Sequence, residues 1–354
     1  MIDTPITIWE SFGEFFVNRY LISGLVLGCI YALGAIGITL TFGILRFANF
    51  AHGEVMMLGA YLTFSVMILF GTLGYEAELP RLATAALPLL AAIPAVVLTI
   101  IVMLGVDRYF YKPFRTSPTI VMVMASFGMM LMIRALVPVI WGPNQASFVP
   151  GISRAQSYFD GAIKLHDKQV LILIGTVLIV AAFSYFLKFT RTGKAMRAVS
   201  DSPDLARVTG IDVERVISAT WIIGAFCAVA AGVFLAMNTQ QLEVTMGFRM
   251  LLPMFAAAIL GGIGRPVGAI VGGLIIGLAE ELIAYPWMEV VGQITWWLGN
   301  ATSSLGLAAW GQGVFEANLG KPLISPGYKA GVAFAIMVFM LIVRPAGIFK
   351  GKVF

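Results

Sequence analysis

Charged residues are scarce in this chain, which holds only 12% Asp, Glu, Lys and Arg among 354 residues. Soluble globular proteins carry about 25% of these residues, so a water-soluble domain is excluded. Hydrophobic residues make up 59% of the sequence, and several apolar runs reach the roughly 20 residues that a helix needs to cross a bilayer. These runs are continuous, whereas membrane β-barrel strands alternate. The composition therefore predicts an all-α polytopic membrane protein.

Cysteine and histidine are almost absent, with two residues of each type: Cys29, Cys227, His52 and His166. This pattern predicts no disulfide framework and no zinc site. The sequence contains neither a Gly-x-Ser-x-Gly elbow nor a Gly-x4-Gly-Lys-Ser/Thr phosphate loop. We therefore expect no catalytic residues, no metal ligands and no ATP hydrolysis by this chain. Its net charge of +5 forms no solvated basic face of the kind that binds nucleic acid.

Nine apolar segments are the candidate membrane crossings. They lie at residues 20–43, 53–71, 84–106, 118–141, 168–187, 216–238, 250–263, 267–284 and 328–343. Segment 250–263 is short enough to be a half-helix that ends inside the membrane, so eight or nine crossings are expected. Glycines recur four residues apart, as at Gly24/Gly28 and Gly273/Gly277, which indicates close helix packing in lipid.

Basic residues concentrate in residues 107–117, in residues 188–215 and from residue 344 onward. Because Lys and Arg mark cytoplasmic loops, these regions are expected inside. The intervening loops, including the long loop 285–327, are then outside. With nine crossings the amino terminus is outside as well.

The outer loop 285–327 is rich in tryptophan, with Trp287, Trp296, Trp297 and Trp310. Tryptophan gathers at membrane interfaces. The loop is therefore either an interfacial segment or a ledge on which an external protein docks.

Two stretches share one pattern: TFGILRFANFAHGEVMMLGAYL (41–62) and AAILGGIGRPVGAIVGGLII (257–276). In each, a helix is followed by a polar or glycine-rich break with one arginine, and then by a second helix of small residues. Repeated broken helices are typical of transport sites at the interface of an inverted repeat. The pattern therefore predicts such a repeat.

The first break has two interpretations. In one it is a cytoplasmic turn, with Arg46 and Glu54 solvated and Asn49 capping the next helix. In the other it lies inside the membrane, where Asn49 and His52, three residues apart and so on one helical face, line a pathway. Glu54 is expected as a helix-start acid, because the positive end of the following helix favours it.

Residues 191–216 predict two short helices on the inner surface. Met196 and Val199 share a face of the first helix, and Ser202-Pro203 can start the second, with proline at its first position. Such a pair suits a docking site for a cytoplasmic protein, although an ordinary solvated loop also fits.

Four stretches together resemble a known family. They are GCIYALGAIGITLTFGILRFANFAHGEVMMLGAYL, RTGKAMRAVSDSPDLARVTGIDVERVI, FAAAILGGIGRPVGAIVGGLIIGLAEEL and LIVRPAGIFKGK. They are similar, in the same order and over roughly residues 28–350, to LivH-type permease subunits of high-affinity branched-chain amino acid ABC importers.

The resemblance implies a single transmembrane permease domain, residues 1–354, in the bacterial inner membrane. It would form half of a translocation pathway beside a second homologous permease. Two ATP-binding cassette subunits, which bind ATP and Mg²⁺, and a periplasmic substrate-binding protein would complete the importer. The chain itself would be no enzyme and would hold no cofactor.

The resemblance also implies roles for individual residues. The substrate-pathway residues would be Asn49, His52, Gly53, Gly261, Gly262 and Gly264. The ATPase-coupling residues, within the loop 188–215, would be Gly193, Arg197, Ala198, Asp201, Leu205, Ala206 and Gly210.

The chain departs from the family pattern at Leu252-Pro253-Met254, where members often have a lysine, and in the length of its outer loop. These departures leave the substrate open between branched-chain amino acids and the urea, short amides or organic acids that the family also transports. An ion-coupled secondary carrier is less well supported, because only Glu54, Glu280 and Glu281 offer carboxylates for a relay.

Overall fold

The computed structural model describes residues 16–18, 20–71, 81–148, 156–158, 163–285, 287, 294–295, 298, 313–314, 325 and 328–349. Within these ranges the chain is almost entirely helical. The helices are α1 (Ile22–Leu45), α2 (His52–Leu69), α3 (Arg81–Val106), α4 (Thr119–Trp141), α5 (Asp167–Phe189), α6 (Arg191–Asp201), α7 (Pro203–Val208), α8 (Val213–Thr239), α9 (Met246–Gly261), α10 (Pro266–Ile283) and α11 (Lys329–Val343). A short antiparallel hairpin of β1 (Gln156–Tyr158) and β2 (Ile163–Leu165) precedes α5.

Seven helical stretches of the described chain are long and apolar enough to cross a membrane, and α9 and α11 are shorter apolar helices. Each of the nine apolar segments of the sequence therefore corresponds to a helix, and the prediction of an all-α polytopic membrane protein is confirmed. The third segment ends, as predicted, with α3 at Val106, and further helical turns follow at Asp107–Tyr111 and Lys112–Phe114. The predicted outer loop 285–327 lies almost wholly outside the described residues.

Helices α1 and α8 form the buried centre of the bundle, and α10 packs along α1 through glycines. A β-carbon added to Gly273 would lie 2.4 Å from the backbone nitrogen of Ala32, and one added to Gly277 would lie 2.2 Å from that of Gly28. Small residues allow this approach where lipid supplies no hydrophobic force between helices. The close packing predicted from the glycine spacing is confirmed.

The outer helices α3, α4 and α5 expose large apolar side chains, among them Ile101, Val139 and Val177. So much exposed apolar surface marks a membrane-facing side. Helix α4 also provides a depth scale: it starts at Thr119, the end that the basic residues 107–117 predict to be cytoplasmic, and at its other end the Trp141 indole donates a hydrogen bond to Ser65 Oγ at 2.6 Å.

Candidate functional site

The first break begins where α1 ends. Arg46 adopts the left-handed region with φ of 59°, and its N–H donates to the Phe42 carbonyl at 2.9 Å. Positive φ is uncommon for a residue other than glycine. The left-handed conformation of Arg46 turns the chain away from the axis of α1. Helix α2 begins six residues later, at His52.

This break packs against the interior of α4. The Ser126 hydroxyl of α4 donates to the Ala48 carbonyl at 3.2 Å and accepts the Phe50 N–H at 3.2 Å. Ser126 is seven residues beyond the start of α4, which is about 10 Å at 1.5 Å per residue. Of the two interpretations of the break, the structure therefore favours the intramembrane one over the cytoplasmic turn.

Asn49 stabilises the backbone of the break. Its side chain is buried, and its Oδ1 accepts the Ala51 N–H at 3.1 Å and the Tyr111 hydroxyl at 3.5 Å. Asn49 is not the expected cap of α2, because Ala51 occupies the N-cap position. Tyr111 in turn stacks on Trp221 of α8, with ring centroids 5.1 Å apart.

His52 contacts a different neighbour. Its buried ring lies against α1, where a β-carbon on Gly37 would be 2.4 Å from the His52 Cε1. Its Nε2 has no hydrogen-bond partner among the described residues. The prediction that Asn49 and His52 share a helical face is wrong, because Asn49 precedes the helix and the two side chains contact Tyr111, beyond the end of α3, and α1 respectively.

Two helix amino termini meet at Gly53 and Gly247. A β-carbon on Gly53 would lie 2.4 Å from the Gly247 carbonyl oxygen, and one on Gly247 would lie 2.3 Å from the Gly53 carbonyl oxygen. Among the described residues, no side chain caps the start of α2 or of α9. Two uncapped ends, each carrying about half a positive charge, therefore converge inside the bundle.

Glu54 lies at this crossing, with 0% of its surface exposed. A β-carbon on Gly247 would lie 3.1 Å from the Glu54 Cα. Neither carboxylate oxygen has a hydrogen-bond partner among the described residues, but Arg134 attracts the carboxylate electrostatically. The two positive helix ends and Arg134 together explain how an acid is tolerated here.

The second break separates α9 from α10. Gly262 and Gly264 have φ of 103° and 81°, which side chains rarely tolerate. A β-carbon on Gly261 would lie 2.0 Å from the carbonyl oxygen of Gly268. The chain end closes the break, since the N–H groups of Ile348 and Phe349 donate to the carbonyls of Leu260 and Gly261 at 2.9 and 3.2 Å and so satisfy the terminal acceptors of α9.

Both breaks lie on the same side of the bundle. A β-carbon on Gly43, near the inner end of α1, would be 3.3 Å from the Gly264 Cα and 3.3 Å from Ser200 Oγ of α6. The two breaks are thus not exchanged by a two-fold axis in the membrane plane, and the inverted repeat stays a prediction for the chain as a whole. Of the predicted pathway residues, only Gly264 reaches the inner cavity of about 540 Å³ between α1, α5, α6 and α10.

The predicted pair of short helices is confirmed as α6 and α7, and their position on the inner surface stays a prediction. Thr190 caps α6 by accepting the Gly193 N–H at 3.0 Å, and Ser202 caps α7 by accepting the Leu205 N–H at 3.4 Å. Gly193 lets α6 fold back on α5, because a β-carbon there would lie 2.4 Å from the Phe186 carbonyl oxygen.

The predicted coupling residues separate by exposure. Gly193 and Ala206 are buried and Ala198 is partly buried, whereas Arg197, Asp201, Leu205 and Gly210 are exposed. Gly210 has φ of 82°, which terminates the segment after α7. Leu205 is 64% exposed, and Val208, absent from the sequence prediction, is 85% exposed. These two side chains, three residues apart in the chain, form an exposed apolar pair on α7.

An ion-pair cluster beneath the first break was not predicted from the sequence. Arg115 donates to both Glu214 oxygens at 2.8 and 2.9 Å and to Asp107 at 2.6 and 2.5 Å. It joins the start of α8, which follows the coupling segment, to the turn that carries Tyr111. In the sequence, only the concentration of charged residues at 107–117 pointed to this cluster. Glu214, which pairs with Arg115, lies about a hundred residues further along the chain.

Replacing Arg115 by alanine should lower the free energy of unfolding by about 3 kcal/mol, because nearly buried Asp107 would lose its partner. Arg115 is 15% exposed, whereas Lys112, which also pairs with Glu214, is 55% exposed. Lys112→Ala is therefore the matched control and should cost about 1 kcal/mol or less. Thermal unfolding of the purified chain in detergent measures both, and equal midpoints would contradict this role of Arg115.

Comparisons with known proteins point in one direction. Residues 20–341 match the family described as branched-chain amino acid transport system / permease component. The chain is 29% identical over 334 residues to the permease protein LivH of Salmonella typhimurium strain LT2, covering 93% of this chain and 94% of that protein. It is 30% identical over 335 residues to the permease protein BraD of Pseudomonas aeruginosa, with the same coverage. The probable branched-chain amino acid permease LivH of Methanocaldococcus jannaschii is 31% identical over 264 residues, which is 71% of this chain and 76% of that protein. No solved structure matches the chain significantly.

Proposed function

Because this chain belongs to the family of permease components of branched-chain amino acid transport systems, we propose that its transmembrane bundle forms half of the pathway by which an ATP-driven importer takes up branched-chain or chemically related amino acids. The chain is a multi-pass membrane protein and a transport subunit. We place it in the bacterial inner membrane.

The meeting of two helix amino termini within the helix bundle is the observation that carries this proposal. An amino acid crosses the membrane as a zwitterion, whose carboxylate is costly in hydrocarbon. The N–H groups at the starts of α2 and α9, at Gly53 and Gly247, supply positive potential without a mobile cation. Glu54 beside them limits that potential. The resulting weak attraction suits a passage that must release its cargo.

Permeases of this family are expected to work with ATPases and with other permeases. The composition of the complex is our proposal. We propose a second homologous permease, two ATP-binding cassette subunits that bind ATP and Mg²⁺, and an external substrate-binding protein. The apolar pair Leu205 and Val208 on α7 suits docking of an ATPase on the inner side.

The alternative function, an ion-coupled secondary carrier, would need buried carboxylates that relay the ion. The carboxylates of α10 give it little support. Glu280 accepts a hydrogen bond from the Tyr31 hydroxyl at 2.7 Å, and Glu281 pairs with Lys329 at 2.9 Å. Both acids thus have local partners that hold α10 to α1 and α11, and these partners account for their presence.

Uptake by cells that lack the chain and regain it on a plasmid tests the proposed function. Radiolabelled leucine should enter only the complemented cells. Unlabelled isoleucine and valine should compete with it, whereas urea, acetamide and short organic acids should not. Leucine uptake that is equal with and without the chain, or competition by urea alone, would overturn the assignment of substrate.

His52 should act through packing and not through contact with substrate. His52→Ala removes a buried ring that fills space against Gly37, which should cost about 2 kcal/mol of stability and leave the KM for leucine unchanged. Val177→Ala, on the exposed side of α5, is the control and should change neither quantity. A raised KM with an unchanged unfolding midpoint would instead make His52 a substrate contact.

A further inference from the structure

We propose that the cavity between α1, α5, α6 and α10 binds one anionic phospholipid of the inner leaflet, with its phosphate headgroup beside the coupling helix α6. This cavity has a volume of about 540 Å³. It lies next to the second break and borders the segment in which the coupling residues are predicted.

The lining of the cavity divides by chemistry. Its apolar part comes from the inner ends of α1 and α5 and from α10. These side chains are Leu40, Ile44, Phe183, Leu187 and Ile270. Its polar part comes from the end of α5, from α6 and from the start of α10. A single molecule that fits both parts must be amphipathic, with a polar head and at least one hydrocarbon chain.

The polar part is strongly basic. Lys188, Arg197 and Arg265 line it, and none of their side chains forms an ion pair or hydrogen bond with a described residue. Asp201 is the one acid among the described lining residues, and it already has another contact. Lys188 also contacts the Phe189 ring, and all three bases are exposed, but three cations without an ion-pair partner among the described residues, beside one engaged acid, favour an anionic ligand.

The start of α10 adds further donors. No described side chain caps this helix, and Pro266 occupies its first position. The first-turn residues Val267 and Gly268, whose N–H groups have no partner within the helix, line the same cavity. A helix amino terminus of this length favours a phosphate, so the backbone and the three cations select the same ligand chemistry.

The surroundings favour a lipid over a soluble phosphate. Val177, Leu178 and Tyr185 on α5 and Val267 on α10 are exposed apolar or aromatic side chains on helices that border the cavity. Acyl chains can therefore pass from the bilayer into its apolar part. Basic pockets between transmembrane helices on the cytoplasmic side bind anionic headgroups in this way.

Lipid retention by the purified transporter complex tests this site without relying on transport. The complex is equilibrated in detergent with equimolar phosphatidylglycerol and phosphatidylcholine, and retained lipid is counted by native mass spectrometry. We expect the native complex to keep phosphatidylglycerol selectively. The double variant Arg197→Gln/Arg265→Gln should lower that retention about 25-fold, from about fivefold for each base removed.

The controls separate lipid binding from general effects. Arg191→Gln removes an exposed base of α6 that does not line the cavity and should retain lipid as the native chain does. The charge-conserving variant Arg197→Lys/Arg265→Lys should keep most of the phosphatidylglycerol that the glutamine variant loses. This comparison separates loss of charge from a folding defect. Equal retention of phosphatidylcholine, an equal loss in Arg191→Gln, or displacement by equimolar glycerol 3-phosphate would each overturn the proposal.

Discussion

Replacing Gly53 by alanine should lower the initial rate of leucine uptake by about tenfold or more. The added methyl group would lie 2.4 Å from the Gly247 carbonyl oxygen, so α2 and α9 must separate where their amino termini meet. Overpacking of this kind costs about 1–3 kcal/mol, and here it also moves the two positive helix ends apart. Uptake into cells, normalised to the amount of chain in the membrane, measures the effect.

The chain supplies matched controls for this substitution. Gly128 lies within α4, and a β-carbon there would meet nothing within 4 Å, so Gly128→Ala should transport normally. Gly247→Ala should reproduce the defect of Gly53→Ala, because the clash is mutual. If Gly53→Ala and Gly128→Ala transport equally well, the crossing is not required for the pathway.

The double variant Leu205→Glu/Val208→Glu should abolish association with the ATPase subunits. Its two charges would replace exposed apolar side chains on α7, and a carboxylate buried without a partner in an interface is strongly unfavourable. Co-purification of the ATPases with a tagged permease measures the association. The permease itself should remain in the membrane with its normal unfolding midpoint, since both side chains are already exposed.

Asp204→Asn is the matched control for the docking surface. Asp204 belongs to the same short helix and is 93% exposed in its side chain, so its loss should leave co-purification intact. ATPases that co-purify equally with the double variant would move the docking surface away from α7. Within the predicted coupling segment, α6 alone would then remain as a candidate contact for the ATPases.

Local patterns in the sequence were sufficient for the helices and their caps. Apolar runs of about 20 residues predict membrane helices because the bilayer fixes the length. Ser202 and Pro203 predict the start of α7 because the cap and the first helical position have fixed requirements. Such features depend on residues close together in the chain, and they were recovered.

Contacts between distant segments could not be predicted in the same way. Nothing local to Gly53 indicates that Gly247 is its partner, and nothing local to Asn49 indicates Tyr111. The shared helical face of Asn49 and His52 was wrong for the same reason, because the tertiary contacts of Ser126 and Tyr111 hold residues 48–50 out of the helix. The inner cavity likewise arises from three distant parts of the chain: α1, the consecutive helices α5 and α6, and α10.

Reconstitution into proteoliposomes tests most directly that this chain is the permease of an ATP-driven importer. The chain is inserted with the second permease and both ATPases, and the external binding protein and labelled leucine are added outside. We expect leucine accumulation only with ATP and Mg²⁺ on the ATPase side, and no effect of a protonophore. Accumulation by this chain alone, collapsed by the protonophore, would contradict the account and identify an ion-coupled carrier.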